Sequence, residues 1–269
     1  MADAPVTLEG WYTLHEMFAV DWGRWNALAT GERAAIVAEA RDVLERLAVP
    51  DAGETATYAL VSQKGDLGLV HWRRDVDALR AAEVTFARTR LRGFLVPTYS
   101  YLAVIELGTY ELMGHAAGLV KRRGLEPGQP EFDAAVKAEM EKMAQPRLYP
   151  AVPPRKYLCF YPMSKRREAD ANWYALPFEE RRRIMAGHAR IGRTYAGRVV
   201  QLITGSLGFD DWEWGVTLVA DDPVTFKEIV YEMRFDEASA RYAEFGPFVT
   251  GLLLEPADAM ARVGLPDAG

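Results

Sequence analysis

An α+β fold of two tandem ferredoxin-like repeats, their sheets facing one another as a dimeric α+β barrel, is what this 269-residue sequence predicts. Two observations carry that reading. The order β-α-β-β-α-β occurs twice along the chain, once on either side of a long connecting stretch. The composition, 49 % hydrophobic and 26 % charged, supplies a sizeable core and excludes disordered, collagen-like and coiled-coil chains. The division is into an N-terminal repeat at 1–106, a linker at 107–154 and a C-terminal repeat at 155–269.

In the first repeat, Val6–Phe18 is β-rich and aromatic and reads as a strand. Ala34–Leu47 carries Ile36, Ala40, Val43, Leu44 and Leu47 at helical spacing, and Pro50 ends it. Thr57–Ser62 and Gly68–Trp72 form a hairpin around Gln63-Lys64-Gly65-Asp66, Asp75–Thr89 is a second helix, and Thr98–Glu106 is the closing strand. The linker holds a helix-compatible stretch, Pro130–Met143, followed by Pro146, Pro150, Pro153 and Pro154. A connection this long is expected to serve function or an interface.

The second repeat opens on the strand Lys156–Pro162 and the helix Pro177–Tyr195, with proline in its first turn. Strands Arg198–Thr204 and Glu213–Val219 flank a Gly- and Asp-rich turn. The helix Pro223–Met233 and the strand Glu244–Leu254 complete the unit. The acidic-aromatic run Asp210–Trp214 reads as a turn leading into a strand.

A net charge of −6 and a sequence pI of about 5.4 leave no global electrostatic reason to bind nucleic acid or an anionic membrane. Cys159 is the sole cysteine, which rules out an internal disulfide and any cysteine-rich metal site and suits a reducing compartment. The N-terminus lacks the features of a signal peptide, and no apolar run approaches the length of a membrane span. A cytoplasmic protein is expected.

The four histidines are His15, His71, His115 and His188, and no two share the spacing of a zinc site. A cofactor that brings its own equatorial ligands needs only one protein ligand. His188 is best placed, since it shares a helix face with Ile184, Ile191 and Tyr195, although a hydrogen-bonded core histidine has the same spacing. Tyr161-Pro-Met-Ser-Lys-Arg-Arg reads either as an edge strand with a solvated basic turn or as an oxidisable phenol beside carboxylate-binding cations. Arg147 is a further cation, set among prolines. Gln201, an amide in an apolar strand, is a structural hydrogen-bond node or part of a pocket.

Several separated motifs then make a resemblance. They are Tyr161–Arg167, Asn172-Trp-Tyr, Leu176-Pro-Phe-Glu-Glu-Arg, His188-Ala-Arg-Ile-Gly-Arg, Gln201-Leu-Ile-Thr-Gly-Ser, Asp211-Trp-Glu-Trp-Gly-Val-Thr and Tyr231–Tyr242. In this order they resemble the coproheme decarboxylases (HemQ type) of the chlorite dismutase-like superfamily. The likeness is close over the second half and follows element order in the first.

The resemblance implies a haem-biosynthetic oxidoreductase, usually a homopentamer. It would use hydrogen peroxide to convert two propionates of iron coproporphyrin III (coproheme) to vinyls, giving haem b, with coproheme as both substrate and redox cofactor. It implies His188 as the iron ligand, Tyr161 as the oxidised phenol, Lys165 on the reacting propionate, and Arg147 and Ser239 on propionates. Met163 would line the pocket and Gln201 would stand on the distal face. Chlorite dismutases carry arginine where Gln201 stands, which sets the reading apart from its nearest rival. Some relatives use a linker histidine on that face; His115 is a linker histidine, but Gln201 makes that reading unnecessary. A coproporphyrin ferrochelatase is the implied supplier of coproheme. A chlorite dismutase or dye-decolorising peroxidase that retains haem b, and a non-catalytic haem-binding or delivery protein on the same fold, are the alternatives.

Overall fold

The computed structural model describes residues 7–48 and 53–264, with the side chains of 109–111 and 113–115 also outside the description. Val6, Pro50 and the His115 side chain therefore lie outside the described residues.

The first repeat runs β1 (Thr7–Val20), α1 (Trp22–Asn26), α2 (Thr30–Ala48), β2 (Thr55–Val61), β3 (Leu67–Arg73), α3 (Val76–Ala87) and β4 (Leu95–Gly108). Asp75 caps α3 by accepting from Ala78 N. The connection is more ordered than its prolines suggest, with two helices, α4 (Thr109–Arg122) and α5 (Pro130–Leu148). Helix α5 outruns the expected Pro130–Met143 because Pro146 falls near its end, and Ala144 and Leu148 are buried against Ile105 and Leu112.

The second repeat begins with β5 (Tyr157–Lys165), a short hairpin β6 (Arg167–Glu168) and β7 (Ala171–Asn172), and α6 (Phe178–Thr194). It continues through β8 (Val199–Gly205), β9 (Trp214–Ala220), α7 (Val224–Met233), α8 (Glu237–Ala240), β10 (Ala243–Phe245), β11 (Val249–Leu254) and α9 (Pro256–Arg262). The predicted final strand is thus two strands. They part at Gly246, where a Cβ would meet Pro162 and the Trp212 ring within 3.0 Å.

In each repeat the four main strands pair in the same antiparallel order, fourth-first-third-second: β4-β1-β3-β2 and β11-β5-β9-β8. The two sheets join along both edges, β2 to β11 and β4 to β8, so eight strands pair in a closed ring. Strand β5 is therefore not an edge strand, contrary to one sequence expectation. It pairs with β9 from Tyr157 to Met163 and with β11 and β10 on its other side, and these partners carry it as far as Lys165.

Period-two alternation then sorts the side chains. Met17, Tyr58, Val70, Trp72, Tyr101, Leu158, Phe160, Val219 and Val249 pack inside the ring. Outside, Phe18, Leu67 and Leu69 pack under α2 and α3 with Ile36, Leu44 and Phe86. Cys159, Tyr161, Val216 and Leu218 pack outward with Ile229 of α7 and Ile191 of α6. Among the described residues, no helix is long and apolar enough to cross a membrane.

Candidate functional site

Tyr161, Met163 and Lys165 are two residues apart on β5, so all three point to the helix-covered outer face of the second sheet. Tyr161 is 6 % exposed, stacked on Phe248 at 4.3 Å and edge-on to Phe245 at 5.9 Å between ring centroids. Burial pushes its phenol well above the usual range, so the hydroxyl keeps its proton. Met163 joins the same outward cluster, in which Ile191 and Met233 also pack.

Lys165 ends the row. Its Nζ donates to the Ala238 carbonyl at 3.1 Å and lies 4.6 Å from the centre of the Trp173 ring. Burial lowers the ammonium pKa to about 8, against an upward pull from Asp236 and Glu213. A cavity of about 380 Å³ opens beside it, lined among others by Ser164, Arg167, Asp211, Glu213 and Glu244.

Helix α6 carries Glu179 and Glu180 in its first turn, which suits the positive end of the helix dipole. Ile184 is buried and anchors the turn before His188. The His188 side chain is 29 % exposed, and Asp236 Oδ2 lies 2.9 Å from its Nδ1. A carboxylate can only accept, so Nδ1 carries the hydrogen, and the nitrogen that a metal would take is Nε2. Beside it, a Cβ placed on Gly187 would meet no atom within 4 Å, so the helix surface is open there. Among the described residues, no group of three or more His, Cys, Asp or Glu side chains could hold a metal ion. A donor set of one imidazole suits a metal that arrives with its own ligands.

Asp236 is the functional residue that sequence reasoning missed. Its Oδ1 accepts from Ser239 N and its Oδ2 from Ser239 Oγ, both at 3.1 Å, so it caps α8 while holding His188. Aspartate before a helical turn is a preferred cap, but nothing local to Asp236 announces its contact with His188, 48 residues away. The Ser239 hydroxyl bonds to the carboxylate and not to the imidazole, so this is no nucleophile–base pair.

Gln201 Nε2 donates to the Gly192 carbonyl at 3.3 Å, one turn beyond His188 on α6. Both Gln201 and Met233 lie within 4 Å of the Cβ position of Gly192. Six of the seven predicted residues thus gather between the outer sheet face and α6, α7 and α8. Arg147 stands apart. It is exposed in the last turn of α5, which packs on β1 and β4, and no hydrogen bond or ion pair joins it to the other six.

The sequence profile described as Chlorite dismutase matches residues 33–254. This chain belongs to the chlorite dismutase family. A heme-binding protein from Thermus thermophilus is 39 % identical over 98 % of this chain and 99 % of its own, with a TM-score of 0.82. A chlorite dismutase variant from Candidatus Nitrospira defluvii is 20 % identical over 95 % of each chain, with a TM-score of 0.72. The putative chlorite dismutase TA0507 is 18 % identical over 95 % of this chain and all of its own, with a TM-score of 0.69. The last two likenesses speak to fold alone.

Proposed function

We propose that this chlorite dismutase family protein binds an iron porphyrin through His188 and acts as a peroxide-dependent coproheme decarboxylase. The observation that carries the reading is the row Tyr161, Met163 and Lys165 on one strand face, turned toward the helices that hold His188 and Asp236. Haem binding by the 39 %-identical relative supports the cofactor. For each propionate the balance is R–CH2–CH2–COO⁻ + H2O2 + H⁺ → R–CH=CH2 + CO2 + 2 H2O.

When bound, the iron porphyrin supplies the oxidising equivalents of peroxide. Nε2 of His188 binds the metal, and Asp236 fixes the ring tautomer. The buried Tyr161 hydroxyl stays protonated and gives up its hydrogen when the phenol is oxidised, so that it can withdraw one from the propionate carbon. Lys165 Nζ engages the reacting carboxylate by a charge-assisted hydrogen bond. Ser239 contributes a hydroxyl, Met163 lines the pocket, and Arg147 is assigned to a propionate on the resemblance alone. Gln201 presents a neutral amide, which gives chlorite no fixed cation to bind. On the same reading the protein is a cytoplasmic homopentamer supplied with coproheme by a coproporphyrin ferrochelatase.

The test is a peroxide titration of coproheme-loaded protein with mass spectrometry of the porphyrin. Two successive losses of the mass of formic acid, complete near two peroxides per coproheme, are expected. Rapid oxygen release from chlorite by the haem b form, with coproheme untouched, would establish the chlorite-handling reading instead.

A further inference from the structure

The acidic-aromatic run before β9 has the sequence of a turn, yet it contains a buried carboxylate. Glu213 is 7 % exposed. Its Oε2 accepts from the backbone N–H of Lys165 at 2.7 Å, and its Oε1 takes the Arg167 guanidinium. The backbone N–H of Glu213 donates to Ser164 Oγ at 3.2 Å. One side chain therefore grips both sides of Arg166, where β5 ends and the β6–β7 hairpin starts. That hairpin leads directly to Trp173, whose ring packs against the Lys165 ammonium. Arg167 also lies over the Tyr174 ring at 5.0 Å, which ties the far end of the hairpin to the same clasp.

We infer that Glu213 is a positioning residue for Lys165, fixing the strand end that delivers the ammonium and holding the hairpin that closes Trp173 over it. A buried carboxylate is retained at a desolvation cost unless both oxygens are satisfied, and here both are, by groups that flank the lysine. Its charge also favours the protonated lysine, as does that of Asp236.

The inference rests on the decarboxylase reading for the role of Lys165, so its test has one arm free of haem. In the apo protein, reductive ¹³C-methylation of lysines, with Lys165→Arg to assign the signal, reads the environment of Lys165. Glu213→Gln can still accept from the Lys165 N–H but gives up the ion pair with Arg167, and it is expected to move that signal. The second arm is a double-mutant cycle on coproheme affinity with Lys165→Met. Alone, Glu213→Gln is expected to weaken binding about three- to tenfold. Added to Lys165→Met it is expected to change binding less than about twofold, because its effect passes through the lysine.

An unmoved methyl signal, or fully additive losses, would overturn the inference. A moved signal with no loss of affinity in Lys165→Met would keep Glu213 as the positioning residue and remove the propionate role of Lys165. Arg167→Met, which breaks the same clasp at an exposed side chain, repeats both arms should Glu213→Gln fold poorly.

Discussion

Asp236 links the imidazole of His188 and the hydroxyl and backbone of Ser239, and its charge reaches the ammonium of Lys165. Asp236→Asn keeps the shape but can turn an amide N–H toward Nδ1. Loss of that acceptor is expected to weaken binding of haem iron by about 10- to 100-fold, read by absorbance titration, and to lower the iron–histidine stretching frequency. Asp236→Ala also uncaps α8 and is expected to cost the apo protein about 1 kcal/mol in urea unfolding. Lys165 makes a pH prediction. Its folded pKa of about 8 lies below that of the unfolded chain, so the folded state holds fewer protons above pH 8 and stability rises with pH toward about 10.4. The ammonium needed for a carboxylate ligand is lost over the same window. Coproheme affinity is therefore expected to fall as pH rises past about 8, by up to about tenfold per unit, and Lys165→Met is expected to lack that limb.

At the scale of elements, the run Lys156–Pro162 made β5 legible as a strand as far as Pro162, with a basic turn read after it. The helical spacing of Ile184, His188, Ile191 and Tyr195 did the same for α6. Less was legible where an element depends on a distant partner. Strand β5 reaches Lys165 because Ala243–Phe245 pairs with its end, and nothing local to Met163-Ser-Lys announces that. Helix α5 is seated by a close approach of the same kind. A Cβ at Gly10, within the register shift of β1, would fall on the backbone of Leu148. Gly10→Ala is expected to displace the end of α5 and cost about 1–3 kcal/mol in urea unfolding, since backbone offers no rotamer escape. Replacement of the distant Gly31, where a Cβ meets nothing within 4 Å, serves as the control.

Across the whole molecule, the ring of strands encloses the titratable imidazole of His15. His15 is 1 % exposed, stacked on Phe160 at 4.1 Å, with Nε2 3.4 Å from Thr217 Oγ1 of the other repeat. Burial, aided by the nearby His71, lowers its pKa to about 3. The unfolded chain takes up that proton near pH 6.5 and the folded chain only near 3, so this residue makes stability fall with pH between those limits. Urea midpoints measured from pH 7 to pH 4 are expected to drop, and to drop less in His15→Gln. An equal drop in the variant would place the acid sensitivity elsewhere.

Local periodicity and composition by themselves determined the doubled α+β order and the helix face that His188 shares with Ile184, Ile191 and Tyr195, because each depends on neighbours within a few residues. Only the tertiary structure decided that the two sheets join along both edges into a ring, that Asp236 lies against His188 and that Glu213 clasps the end of β5. Those partners are 48 residues apart in each case, and contacts across such separations are set by how whole elements pack, which no short window of sequence contains.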